Sequence, residues 1–114
     1  MGTLREESAL RIFINDVDHS HGQPLYHVIL QLAWNEGLTG GTVMKAVAGF
    51  GGHKRLHEAT MLDLAQNLPL VIEMIDETPK IEALIVKLEE IVPEGLCTVQ
   101  AVRVMRFGKT AGIK

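Results

Sequence analysis

The sequence predicts an α+β sandwich, one sheet layered against two helices in the order βαββαβ, and three observations carry that expectation. Four stretches read as strands, the first with strict apolar/polar alternation, two stretches with helical apolar spacing begin at prolines, and glycine-containing turns lie between elements. At 114 residues the chain has the size of one domain, so a single domain over residues 1–114 is expected, with flexible ends at 1–7 and 107–114.

Leu10, Ile12 and Ile14 alternate with Arg11, Phe13 and Asn15, which places the first strand near residues 9–16, and Asp16-Val17-Asp18 ends it. Pro24 suits the first turn of a helix, after which Leu25, Val28, Ile29, Leu32 and Ala33 share one face, with Gly37 as the stop. This gives a helix over 24–36. Gly40-Gly41 turns into a second strand over 42–49, where Thr42, Val43 and Val47 favour extension and Lys45 interrupts the apolar run. Residues 59–64 are compatible with an extension of the following hairpin, although Asn67 and Pro69 break any continuous strand there.

Leu70 to Ile75 reads as the third strand. Thr78-Pro79 supplies an N-cap and first helical residue for a second helix over 79–92, carrying Ile81, Leu84, Ile85, Leu88 and Ile91 on one face. Pro93-Glu94-Gly95 ends that helix, and Val99 to Met105 forms the last strand. Two βαβ-like halves of this kind form a ferredoxin-like sandwich, in which right-handed crossovers put both helices on the same sheet face. Phe13, Val71 and Ile75 then point to the opposite face, which one subunit leaves uncovered. Self-association that buries this second face is the expected consequence.

Composition narrows the function classes. A net charge of −3 gives no overall electrostatic reason to bind nucleic acid. Cys97 is the single cysteine, so no intramolecular disulfide forms, and a reducing cytoplasm fits. The N-terminus is polar and charged, and no apolar run is long enough to cross a bilayer.

The strongest candidate for a binding site is the segment Gly49-Phe50-Gly51-Gly52-His53-Lys54-Arg55, followed by His57. Gly49, Gly51 and Gly52 free the backbone to turn N–H groups toward a ligand, Lys54 and Arg55 offset anionic charge, and His53 or His57 adds a hydrogen bond. The segment lacks the full phosphate-loop pattern, and turn geometry alone also explains such glycines. His19 and His21 near Asp16 and Asp18 have donor types suited to a divalent ion, but their spacing equally serves a strand-to-helix turn, and no metal site is assigned. His27 reads as a structural histidine and Trp34 as a core or interface residue. Glu73, inside an apolar strand, is placed to pair with Lys45 or Arg103 across the sheet, and no catalytic residue or cofactor is assigned.

His21-Gly22-Gln23-Pro24-Leu25-Tyr26, Gly37-Leu38-Thr39-Gly40-Gly41-Thr42-Val43, Gly49-Phe50-Gly51, His57 and Leu68-Pro69-Leu70-Val71-Ile72-Glu73 together resemble the domain-of-unknown-function family 190, a PII-like group, over residues 9–105. The resemblance implies a PII-like ferredoxin fold, a homotrimer with clefts between subunits, and a hairpin corresponding to the signalling loop of PII proteins. It also implies a regulatory protein that binds an anionic metabolite or adenine nucleotide and acts on a partner, with a membrane-transport protein among the partners suggested. The loop carries no tyrosine for nucleotidylation, since Tyr26 lies in the first helix. Two other classes share the architecture: metal-binding proteins similar to the copper-tolerance CutA group, and small ferredoxin-like enzymes.

Overall fold

The structure, a computed structural model, describes residues 3–50, 57–58 and 68–108. Its elements are β1 (Arg5–Asn15), β2 (His19–Ser20), β3 (Gln23–Pro24), α1 (Leu25–Asn35), β4 (Thr42–Lys45), β5 (Ala48–Gly49), β6 (His57–Glu58), β7 (Pro69–Asp76), α2 (Thr78–Ile91) and β8 (Leu96–Val104). The four longest strands form one antiparallel sheet in the order β4-β7-β1-β8. This is the ferredoxin-like arrangement: the first and third long strands lie at the centre and the second and fourth at the edges.

The alternation in β1 and β7 explains why helices cover only one side. Leu10, Ile12 and Ile14 stand opposite Met74, Ile72 and Leu70, and all six are buried. Directly opposed residues share a face. Onto this face pack Leu25, Ile29 and Ala33 of α1 and Ile81, Leu84 and Leu88 of α2, the same apolar stripes that the helical spacing predicts. Each large aliphatic side chain buried here contributes about 1.5–3 kcal/mol of transfer free energy, so this single layer dominates the stability of the chain.

Element boundaries depart from the sequence reading in five places of consequence. β1 begins at Arg5, so Arg5, Glu6 and Glu7, assigned from sequence to a flexible lead, are strand residues paired with Val104, Arg103 and Val102. No apolar alternation marks them, because Glu7 is held in the strand by an ion pair with Arg106 rather than by hydrophobic burial. The second strand, expected over 42–49, is split. Pro69 has no N–H to continue the ladder, and Ala46 N donates to Pro69 O at 2.9 Å as the chain leaves the sheet, after which β5 pairs with β6 instead.

α1 begins one residue late because Pro24 occupies the cap position with extended backbone (ψ 132°) and pairs with His19. α2 begins at Thr78, not at Pro79. Thr78 does not cap it: its hydroxyl is hydrogen-bonded to Ser8 Oγ at 2.7 Å, and Glu77 takes the cap position without a side-chain bond. The last strand starts at Leu96, three residues before the apolar signal at Val99, because register with β1 extends to Phe13 opposite Leu96.

The uncovered face has a row structure set by register. Met44, Val71, Phe13 and Leu96 lie side by side across all four strands, and the neighbouring row is Thr42, Glu73, Arg11 and Thr98. Beyond it lie Ile75, Ala9 and Gln100. Phe13, Met44 and Leu96 are exposed, so the first row is an apolar band open to solvent. Edge strand β8 is exposed over most of its length on both faces, Cys97 included.

Gly95 shows how closely β8 enters against β1. Its φ is +142°, a region L side chains rarely adopt, and a Cβ there would lie 2.6 Å from the Phe13 carbonyl oxygen. Gly95→Ala is expected to destabilise the domain by about 1–3 kcal/mol, read as a lowered urea midpoint at unchanged m-value.

Candidate functional site

The segment singled out from sequence hangs from the sheet at a defined base. Ala48 and Gly49 of β5 pair with Glu58 and His57 of β6, so Gly49 and His57 are direct cross-strand partners and close a hairpin. Gly51, Gly52, His53, Lys54 and Arg55 lie outside the described residues. Gly49 has a further reason to be glycine besides the one its sequence suggests. It lies in a strand, and a Cβ there would stand 2.9 Å from Pro69 Cγ, so the missing side chain admits the returning chain.

Asp16 fastens this base. Its backbone N–H donates to Leu68 O at 2.9 Å, its Oδ1 accepts from Leu68 N at 3.0 Å, and its Oδ2 lies 3.3 Å from Lys45 Nζ. One largely buried carboxylate therefore holds the outgoing strand through Lys45 and the returning strand through Leu68. The residues that suggested metal ligands serve the adjoining turn. Asp18 Oδ2 accepts from Asn15 N at 2.9 Å, Asp18 O accepts from Leu25 N at 2.8 Å, and His19 Nδ1 lies 2.7 Å from Val17 O. His21 takes φ 51° beside Gly22 at φ 82°, which turns β2 back into β3. No group of three or more His, Cys, Asp or Glu side chains among the described residues is placed to hold a metal ion.

A second polar cluster, which sequence reading missed, sits at the other end of β1. Arg106 donates to both carboxylate oxygens of buried Glu7, from Nη1 at 2.8 Å and Nη2 at 2.9 Å. Those hydrogen bonds chiefly raise the Arg106 pKa above its ordinary value; burial opposes the shift, and the charges of Glu7, Asp76 and Glu77 add to it. Asp76, also buried, accepts from Thr39 N at 2.9 Å and Thr39 Oγ1 at 3.3 Å through Oδ2, and from Glu77 N at 2.7 Å through Oδ1. Arg5 and Lys80 complete the rim of a shallow recess of about 50 Å³. Its cations already face carboxylates or a carbonyl, Arg5 toward Glu77 at 3.7 Å and Lys80 toward Gly37 O at 3.3 Å. The sequence signal for this cluster is slight: an aspartate ends a mostly apolar strand immediately before a Glu-Thr-Pro helix start.

Glu73 has neither of its expected partners. Arg11 Nε donates to Glu73 Oε2 at 2.8 Å, because register puts Arg11 directly opposite Glu73 on the adjacent strand. Arg103 stands two strands away, opposite Glu6, and Lys45 points to the helix-side face with Asp16. Trp34 is 79% exposed on α1, so it is not part of the core, and His27 is exposed on the same helix.

A ferredoxin-like sheet with both helices on one face and a hairpin inserted between its second and third long strands is the PII-like fold. The fold is shared with CPII from Thiomonas intermedia K12, a structure solved bound to ADP and bicarbonate, at a TM-score of 0.66 and 19% identity over 91% of this chain and 93% of that one. The chain belongs to the DUF190 family, Uncharacterized ACR, whose model matches residues 7–104. A UPF0166 protein of Aquifex aeolicus (strain VF5) is 37% identical over 102 residues, covering 88% of this chain and 94% of that protein. A UPF0166 protein of Methanocaldococcus jannaschii is 31% identical over 83 residues, covering 73% and 76%. No helix among the described residues is long and apolar enough to cross a membrane.

Replacing Asp16 with Ala removes the acceptor for Leu68 N and the partner of Lys45 together. The variant is expected to lose about 1–2 kcal/mol of stability and to show faster amide exchange at Leu68, with the exchange of β1 residues 10–14 unchanged.

Proposed function

We propose that this chain is a cytoplasmic PII-like regulatory protein that binds an anionic small effector, with an adenine nucleotide as the leading class, and passes its occupancy to a partner protein through the hairpin. The observation that carries the reading is the cross-strand pair Gly49–His57, which closes a hairpin around a sequence with two further glycines and three basic or imidazole side chains. Glycine backbone brings N–H donors near anionic oxygens, and Lys54 and Arg55 stabilise the charge. Gly49, Gly51, Gly52, His53, Lys54, Arg55 and His57 are the proposed effector-binding residues. The CPII structure, bound to ADP and bicarbonate, supports an anionic effector by likeness of fold.

The regulator reading takes the protein as a homotrimer whose subunits cover one another's open sheet face, with effector clefts between them. The exposed apolar row Met44, Val71, Phe13 and Leu96 favours this. The chain itself performs no chemistry in this reading; binding selects one arrangement of the hairpin, and the partner, with a membrane-transport protein as the suggested class, recognises that arrangement. Nucleic acid is not a partner, consistent with the net charge of −3.

The test combines calorimetry and hydrogen exchange on the full chain with ADP, ATP, AMP and bicarbonate. An anion that binds is expected to slow exchange in peptides spanning 49–57, and Lys54→Ala/Arg55→Ala is expected to weaken it at least tenfold, with a smaller salt dependence and unchanged exchange in β1 and β7. Unchanged affinity in the double variant would place the site elsewhere.

A further inference from the structure

The open sheet face carries, beside its apolar row, one feature that neither the core nor the hairpin explains. Thr42, Glu73, Arg11 and Thr98 form a polar stripe across all four strands, and its centre is an ion pair between the two central strands. The pair lies between the apolar row of Met44, Val71, Phe13 and Leu96 and the row containing Ile75 and Ala9. Its side chains are 52% and 26% exposed. Arg11 uses only Nε, toward Glu73 Oε2, so its terminal guanidinium nitrogens have no acceptor among the described residues.

We propose that the Arg11–Glu73 pair fixes the register in which a second copy of this chain seats on the open face. The inference rests on the self-association reading above. An apolar band attracts any apolar surface and discriminates poorly between registers. A charge pair in its midst changes that, because covering a guanidinium whose donors are unmet is costly, while a partner that brings an acceptor to it satisfies the same donors. A second copy carries acceptors at the same spacing: the Glu73 carboxylate with the Thr42 hydroxyl beside it, and the Thr98 hydroxyl on the other side of Arg11. A seating shifted along the strands would set Arg11 against the row of Val71 and Phe13 and bury its remaining donors without an acceptor. The apolar row therefore supplies attraction, and the stripe selects one arrangement.

The experiment is sedimentation velocity and equilibrium on the full chain, wild type against Glu73→Gln, Arg11→Gln and the double variant Arg11→Met/Glu73→Met, each first checked for native far-UV circular dichroism. Glu73→Gln is isosteric, and the remaining substitutions shorten or neutralise side chains that are partly exposed, so folding is expected to survive. Wild type is expected to show one assembled mass, dissociating more readily as salt rises from about 0.05 M to about 0.5 M. Either single variant should dissociate at a concentration roughly tenfold or more higher. The double Met variant should stay associated, lose the salt dependence and spread over several masses. Single variants with wild-type dissociation constants, or a double Met variant with one unchanged mass, would overturn the register role while leaving self-association intact. A wild-type chain that is monomeric at every concentration, or that assembles only with another protein, would overturn the self-association reading and this inference with it.

Discussion

The central strand β1 ties together most of the described fold, because it alone among the long strands is hydrogen-bonded along most of both its edges while also presenting two differently used faces. One face, Leu10, Ile12 and Ile14, forms the middle of the buried layer beneath both helices. The other carries Arg11 and Phe13 in two rows of opposite character. Its start holds the C-terminal end of β8 through Glu7 and Arg106, and the residue just past its end, Asp16, holds the hairpin base. The strictness of the two-residue period makes this possible: a one-residue slip of β1 would exchange Ile12 for Phe13 in the core and put both carboxylate anchors on the wrong side.

The two carboxylate anchors act differently. Glu7 is buried and meets a guanidinium with both oxygens, so its charge is compensated almost wholly by one partner. Asp16 divides its oxygens between a backbone N–H and a lysine that is half exposed. An ion pair whose cation stands half in solvent contributes little by itself. Its importance lies in which segments it joins, because Lys45 and Leu68 border the part of the chain that leaves the sheet.

Much of the architecture was legible in the sequence because it rests on periodicity. Leu10, Ile12, Ile14 and the stripes at Ile81, Leu84 and Leu88 announce their burial through spacing alone, and the hairpin could be placed by its glycines. The long-range polar pairs were not legible. Local sequence offers Lys45 or Arg103 as partners of Glu73, because strand order and register are products of the whole fold, and only they reveal that Arg11 is its neighbour. Glu7 looks like part of a loose end for a related reason: its partner Arg106 lies at the far end of the chain, and a charged residue in a polar stretch gives no local sign of burial. Gly49 was recognised as significant, but its close contact with Pro69 depends on a return of the chain that local sequence does not specify.

The geometry at the hairpin base also bears on how such a chain can vary. The exit and re-entry points touch, Ala46 N to Pro69 O at 2.9 Å and Gly49 against Pro69, so the sheet closes on itself independently of what lies between them. Closing a longer flexible excursion from such a base costs only about 0.6 kcal/mol per doubling of its length. The hairpin is therefore a module: its length and chemistry can be rewritten at small thermodynamic cost while the sandwich beneath stays the same.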